Sequence, residues 1–253
     1  MSKSADNGQA KPRTKVKKII IIVAIVLVIC ILALTLTYMF TIGYPAKYLR
    51  AKERSEKYQD LGFSEGQILL CGSSFIDYWD SAASDFAPLT TYNVGIAATV
   101  VSDWSKWIDL LIMPFKPRAI VLYVGSNDIH GGIGTKKGAA VAKEVRQLLD
   151  DIMAKLPETF IYYVSIAPTP LREKVWDQSN TCNKDVEAYC KTVDNLRFIN
   201  CTDALLNQDG TLKPEIYRSD KLHFNEEGYR IWADTIVPIL IAEQSLEADL
   251  IHY

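Results

Sequence analysis

The sequence has few of the residues that build metal and nucleotide sites. Only three histidines and five cysteines occur among 253 residues, and none of their spacings resembles a metal site. The glycine-rich segment 131–138 matches neither the P-loop pattern nor the dinucleotide-binding pattern. Because 28 basic residues nearly balance 30 acidic ones, the chain also lacks the excess positive charge typical of nucleic-acid-binding proteins. We therefore expect no metal, no cofactor and no nucleic-acid partner.

Charged residues are absent from residues 19–42, although they make up 23% of the whole chain. A helix of ~24 residues is about 36 Å long, which is enough to cross a hydrocarbon core of about 30 Å. The alternative is a cleaved signal peptide, whose apolar region is typically only about 7 to 15 residues and ends at small residues. The longer run favours a single transmembrane helix over residues 19–42 that is retained as an anchor.

This helix divides the chain into a disordered basic tail (1–18), the membrane span (19–42), a juxtamembrane stalk (43–65) and a globular domain (66–253). Lysine and arginine residues flank the span on both sides, so their distribution only slightly favours a cytosolic N-terminus. Long C-terminal domains translocate largely regardless of charge. We expect a cytosolic tail and an extracytoplasmic domain.

Within the domain, short apolar runs alternate with longer amphipathic ones, as in a parallel sheet with crossover helices. Most of the predicted strands lack polar alternation, which is typical of buried parallel strands; the five are Ile68–Cys71, Thr91–Val94, Ala119–Val124, Phe160–Ile166 and Arg197–Cys201. The predicted helices are Val101–Met113, Thr135–Leu156, Lys184–Val193 and Glu226–Glu243. The pattern predicts an α/β fold.

The first candidate site residue is Ser74, which follows an apolar strand that ends in Gly72. In open α/β sheets, sites form at the carboxyl ends of strands, so Ser74 is placed where a ligand would bind. The same serine could instead cap the next helix. On this segment alone, both interpretations remain open.

The second candidate segment is Gly125-Ser126-Asn127-Asp128, which follows another buried strand. The side-chain N–H of Asn127 is a suitable donor to an oxyanion, but an Asx turn would explain the same residues. His130 follows in the glycine-rich loop, and we expect it to contact substrate at most.

The third candidate segment contains Asp220 and His223, just before the last amphipathic helix. His223 is the only histidine with a carboxylate three residues before it, a spacing that can bring Asp220 against one imidazole nitrogen and leave the other free to face a serine. Alternatively, Asn225 caps the helix and His223 only packs beneath it.

Taken together, these segments resemble the SGNH/GDSL hydrolase family over residues 66–243. The matching segments, in chain order, are Gly72-Ser73-Ser74, Asn93-Val94-Gly95, Gly125-Ser126-Asn127-Asp128 and Asp220 to His223. The family's aspartate before the nucleophile is replaced by Ser73. The resemblance implies a three-layer α/β/α sandwich around a five-stranded parallel sheet of flavodoxin-like order.

The resemblance also implies a serine esterase or acylhydrolase. Ser74 would be the nucleophile, His223 the general base and Asp220 its orienting carboxylate. The N–H groups of Ser74 and Gly95 and the side chain of Asn127 would form the oxyanion hole. The expected substrate is an acyl ester of a carbohydrate or a lipid, and acetyl esters are among the candidates. An acyltransferase with the same triad and a non-catalytic membrane-tethered binding protein remain alternatives.

Two further residue types leave interpretations open. Four cysteines lie outside the membrane span and admit three full pairings, although buried free thiols are favoured for Cys71 and Cys201. Four tryptophans could line a sugar or acyl site, although large aromatic residues more often belong to the core; they are Trp79, Trp104, Trp107 and Trp176.

Overall fold

The computed structural model describes residues 13–41 and 43–250. The chain divides into two compact units, Met1–Ala46 and Lys47–Tyr253. The first contains the long N-terminal helix, and the second contains the sheet and every candidate site residue.

The N-terminal helix α1 extends over Arg13–Thr41. Its side chains are exposed from Val16 to Met39, and among the described residues it provides the one stretch long and apolar enough to cross a membrane. It begins six residues before the predicted span, so residues 13–18 are helical and the predicted disordered tail is wrong for them. Lysine and arginine have high helix propensity, which lets an apolar helix continue into a basic flank. Residues 1–12 and 42 lie outside the described residues.

The second unit contains a five-stranded parallel sheet with the order β2-β1-β3-β4-β5. The strands are β1 (Ile68–Gly72), β2 (Thr91–Asn93), β3 (Ala119–Tyr123), β4 (Phe160–Val164) and β5 (Leu196–Ile199). All five predicted strands and the flavodoxin-like order are confirmed. The predicted runs were one or two residues too long at most carboxyl ends, where the chain leaves the sheet to form loops.

Alternate residues of the buried strands face two separate cores. In β1, Leu69 and Cys71 belong to one apolar cluster, whereas Ile68 and Leu70 belong to the other. Because both faces of the sheet are covered, the central strands β1, β3 and β4 consist almost entirely of buried apolar and aromatic residues, whereas the edge strands β2 and β5 include polar ones. The predicted three-layer sandwich is confirmed.

Among the described residues, seven α-helices of varied length belong wholly or mainly to this unit. They are α2 (Tyr44–Leu61), α3 (Ser74–Asp77), α4 (Ala82–Asp85), α5 (Val101–Trp107), α6 (Gly138–Lys155), α7 (Trp176–Cys190) and α8 (Glu226–Leu250). The predicted helix 101–113 changes to π-helix at Ile108–Ile112. Helix α7 begins eight residues before its predicted start, since the buried positions of its first half are Ser179, Cys182 and Asn183, which give no apolar periodicity.

The segment predicted as a stalk is largely helix α2, and from Lys47 onward it belongs to the second unit. Lys47, Ala51 and Ser55 are buried, and the ammonium of Lys47 pairs with the buried carboxylate of Asp103. The compact domain therefore starts near residue 47 and not at residue 66. The stalk prediction failed because these contacts join residues more than fifty positions apart.

The tryptophans and cysteines of this unit belong mostly to the core. Trp79, Trp104 and Trp107 are fully buried, as the core interpretation expects, while Trp176 is half-buried. The thiols are free and buried, so no disulfide joins the four cysteines at 71, 182, 190 and 201.

Candidate active site

The nucleophile candidate lies at the junction of β1 and α3. Gly72 ends the strand with a φ of +154°, and a Cβ there would lie 2.4 Å from the Tyr123 carbonyl oxygen, so only glycine fits beside β3. The chain then turns sharply, Ser73 donates its N–H to that carbonyl at 3.2 Å, and Ser74 begins α3. Ser74 is thus held at the carboxyl edge of the sheet, where sites form in open α/β folds.

Ser74, His223 and Asp220 form a continuous chain of hydrogen bonds. His223 Nε2 lies 2.8 Å from Ser74 Oγ, and His223 Nδ1 lies 2.7 Å from Asp220 Oδ2. With the Nδ1 proton donated to the carboxylate, Nε2 has a lone pair that accepts the serine hydroxyl proton. The structure therefore brings together the three residues predicted as the triad, from positions up to 149 residues apart.

Asp220 is also held by the backbone of its own loop. Its Oδ1 accepts hydrogen bonds from the N–H groups of Leu222 at 2.9 Å and His223 at 3.0 Å. Partial burial raises the pKa of Asp220, but the hydrogen bonds from the His223 ring, the His223 N–H and the Leu222 N–H outweigh it and lower the pKa to about 2. Asp220 is consequently a carboxylate at neutral pH.

Neighbouring side chains fix the imidazole in place. The ring of His223 packs against Phe75, with centroids 5.6 Å apart, and edge-on against Tyr78, with centroids 5.1 Å apart. Asn225 Oδ1 accepts the Gly228 N–H at 3.1 Å and so caps α8. The capping role and the histidine site are therefore compatible, because Asn225 fixes the start of α8 just after the histidine.

Asn127 follows β3 at the same edge of the sheet. Its Nδ2 donates one proton to the Thr99 carbonyl oxygen at 3.0 Å, and its Oδ1 accepts a hydrogen bond from Arg172 at 2.8 Å. An amide nitrogen carries two protons, and no acceptor within the described residues takes the second. This second proton can serve a ligand.

Gly95 has a different arrangement from the one its predicted role requires. Its single N–H proton is donated to Asn93 Oδ1 at 2.9 Å. A Cβ at Gly95 would lie 2.5 Å from the Asp77 nitrogen, so glycine is needed here for close packing against α3. Three residues later, Ala98 has a φ of 63°, and its N–H has no partner among residues 13–41 and 43–250.

A family model and solved structures agree with this architecture. The family model described as the GDSL-like lipase/acylhydrolase family matches residues 40–231. The chain belongs to this family. The predicted resemblance and the assignment as an SGNH hydrolase are confirmed.

Solved structures of this hydrolase fold are similar to the chain. One is a Streptococcus pneumonia protein provisionally described as a platelet activating factor, with a TM-score of 0.70, 18% identity, and coverage of 83% of this chain and 98% of that one. Another is a variant of an acetyl-xylooligosaccharide esterase from Geobacillus Stearmophilus, with a TM-score of 0.57, 15% identity, and coverage of 69% and 94%. At identities of 15% and 18%, these similarities show the fold alone.

One curated relative also matches in sequence. It is the N-acylneuraminate cytidylyltransferase of Escherichia coli O18:K1:H7, 28% identical over 180 residues, which are 70% of this chain. The chain spans 41% of that relative's length.

Sequence reasoning missed the residues that hold the loop 93–99, which follows β2. Arg54 of α2 donates to Asp77 Oδ1 at 2.7 Å and to the Asn93 carbonyl oxygen at 3.0 Å. Asp77 Oδ2 in turn accepts the Ala97 N–H at 2.9 Å. Helix α2 thereby ties the loop 93–99 to the end of α3, whose first residue is Ser74. No local pattern marks Arg54, because its partners lie 23 and 39 positions away.

The remaining polar candidates are bonded to residues outside the triad. Asp128 is buried, accepts the Val101 N–H at 3.1 Å and pairs with Lys136 at 2.9 Å. Burial raises the pKa of Asp128 more than these bonds lower it. His130 is exposed, and its Nδ1 accepts the Gly132 N–H at 3.0 Å. Asp128 is thus explained by packing, and the substrate contact expected of His130 stays a prediction.

Proposed function

We propose that the protein is a serine esterase that works through an acyl-enzyme. Ser74 Oγ attacks the ester carbonyl carbon while His223 Nε2 takes its proton, and the alcohol leaves with that proton. A water molecule, deprotonated by the same nitrogen, then releases the acid. The observation that carries this proposal is the unbroken chain from Ser74 Oγ to Asp220 within a family of acylhydrolases.

The proposed oxyanion donors are the N–H groups of Ser74 and Ala98 and the free Nδ2 proton of Asn127. Ala98 replaces Gly95, whose proton is engaged. In support, Ala98 lies between Ala97, bonded to Asp77 of α3, and Thr99, bonded to Asn127. Losing one such donor typically costs about 10² to 10³ in turnover.

We propose that the substrate is an acyl ester of a carbohydrate or a lipid. The similarity to an acetyl-xylooligosaccharide esterase favours an acetyl ester of a glycan. The apolar helix α1 favours a lipid-proximal location, with residues 19–42 as an anchor and the catalytic domain outside the membrane. Detection of the intact N-terminal peptide in membrane-extracted protein would support the anchor, while its loss would indicate a cleaved signal sequence.

The direct test is ester hydrolysis by the full-length protein in detergent. A series of p-nitrophenyl esters from acetyl to palmitoyl measures acyl preference, and product analysis with an added glycan separates hydrolysis from acyl transfer. Ser74→Ala should lose at least about 10³ of the turnover. Ser73→Ala is the matched control, because the Ser73 hydroxyl is buried and has no hydrogen-bond partner among the described residues.

Equal turnover by wild type and Ser74→Ala would overturn the proposed mechanism. Absence of turnover in both, on every ester, would favour a binding protein with this fold.

A further inference from the structure

The cationic side chain of Arg172 contacts Asn127, a proposed oxyanion donor, through the amide oxygen and not through the donor nitrogen. Arg172 Nη2 donates to Asn127 Oδ1 at 2.8 Å, and Arg172 Nη1 donates to the Ser126 carbonyl oxygen at 2.7 Å. The guanidinium thus grips two consecutive residues of the Gly125–Asp128 segment with its fixed fork of donors.

This contact decides the orientation of the Asn127 amide. Because Oδ1 faces the guanidinium, Nδ2 must occupy the opposite side, where one proton reaches Thr99 O and the other is free. Rotation of the amide by 180° would place N–H protons against a cation and break both bonds. Arg172 therefore fixes the direction in which the free Nδ2 proton of Asn127 points.

Among the residues described here, no carboxylate lies within ion-pair distance of Arg172, and its two acceptors are neutral oxygens. Burial lowers the pKa of the guanidinium, although an arginine stays protonated at neutral pH. A partly buried, unpaired cation is costly to the fold. An anion that forms next to Asn127 during the reaction would relieve this cost.

The backbone around Arg172 connects the two halves of the site. Arg172 lies in the 3₁₀ segment Pro170–Val175 with φ −112° and ψ 16°, which departs from helical geometry. The preceding Leu171 donates its N–H to the Lys221 carbonyl oxygen at 2.9 Å, and Lys221 directly follows Asp220. One short segment therefore braces both the oxyanion donor and the histidine loop.

We propose that Arg172 is a positioning residue of the oxyanion hole, which aligns the Asn127 amide and stabilises the oxyanion through its uncompensated charge. The inference rests on the proposed esterase function. It predicts an effect on turnover with little effect on substrate binding, since Arg172 acts through Asn127 and on a charge that exists only in the transition state.

The test is a double-mutant cycle on ester hydrolysis with the full-length protein. Arg172→Gln should lower kcat by about 10- to 100-fold with KM changed less than about threefold. Arg172→Lys, which keeps the charge but loses the fork, should lie between Arg172→Gln and wild type. In the Asn127→Ala background, Arg172→Gln should cost at least about threefold less than in the wild-type background, because the amide that it positions is gone and only the effect of its charge remains.

Arg146→Gln is the matched control, because Arg146 is a surface residue of α6 paired with Asp185, and its removal should leave kcat unchanged. A loss from Arg172→Gln that is fully additive with Asn127→Ala, or one confined to KM, would overturn the inference. If Arg172→Gln is unfolded by near-ultraviolet circular dichroism, the cycle is repeated with Arg172→Lys, and the same two criteria apply. If Ser74→Ala is inactive but the losses from Arg172→Gln and Asn127→Ala are additive, only the role of Arg172 is rejected and the esterase mechanism stands. If Ser74→Ala is active, the esterase mechanism itself is rejected.

Discussion

Arg54→Ala tests whether helix α2 supports the catalytic loops. The substitution removes the hydrogen bond to Asp77 at 2.7 Å and the one to the Asn93 carbonyl at 3.0 Å, and it leaves the Asp77 carboxylate without its cation. The side chains of Arg54 and Asp77 are 25% and 16% exposed, so the pair is only partly screened by solvent. Both stability and turnover should fall.

The magnitude follows from the burial of the pair. Breaking a fully buried pair costs about 3 to 5 kcal/mol, and the partial exposure here reduces the expected loss to about 2 to 3 kcal/mol of unfolding free energy. For a domain of this size, each kcal/mol shifts the melting temperature by about 2 to 4 °C, so a decrease of about 4 to 12 °C is expected. Since Asp77 also holds the Ala97 N–H, displacement of the loop should lower kcat by about tenfold or more.

The assay is thermal melting of the detergent-solubilised protein, followed by near-ultraviolet circular dichroism, together with ester hydrolysis. Lys52→Ala is the control on the same helix, because Lys52 and its partner Glu56 are each 55% exposed, and it should change stability by less than about 0.5 kcal/mol. In Arg54→Ala/Asp77→Asn, the two losses should be less than additive. An unchanged melting temperature and turnover in Arg54→Ala would refute the reasoning.

Three further predictions concern pH, backbone conformation and thiol reactivity. Because the pKa of Asp220 is about 2 in the fold and about 3.9 in an unfolded chain, its stabilisation is complete above about pH 4 and lost as the pH falls towards 2; the melting-temperature difference between wild type and Asp220→Asn should shrink over that window. Ala98→Gly should relieve the strain of φ 63°, stabilise the fold by up to about 1 kcal/mol and so raise the melting temperature. Gly95→Ala should lower both the melting temperature and turnover, because the new Cβ would collide with the backbone of α3. Burial raises the pKa of the Cys71 and Cys201 thiols, so iodoacetamide should label them only after unfolding, and rapid labelling of the native protein would contradict their burial.

The sheet was predictable because its central strands are buried on both faces. A run such as Ile68–Cys71 must be apolar at every position to serve two cores, and that pattern is visible in sequence. The short helix α3 was not predictable, since four residues carry no periodicity, and it forms because the tight turn at Gly72 directs the chain away from β3.

The triad candidates were predictable because each carries a local mark. Ser74 follows a strand and a glycine, and Asp220 precedes His223 by three residues. The oxyanion donors were harder to assign, because whether the Gly95 N–H is free depends on the Asn93 side chain, which folds back onto it. Arg172 has no local mark, because its partners lie 45 and 46 positions away.

Covalent labelling with a fluorophosphonate tests most directly the claim that His223 activates Ser74. After brief incubation, peptide mapping by mass spectrometry should find a single phosphonyl group on Ser74 and none on Ser73. The rate of labelling should fall by at least about 10³ in His223→Ala, because the hydroxyl then loses its base. Modification at another residue, or equally rapid labelling of Ser74 in His223→Ala, would contradict the account.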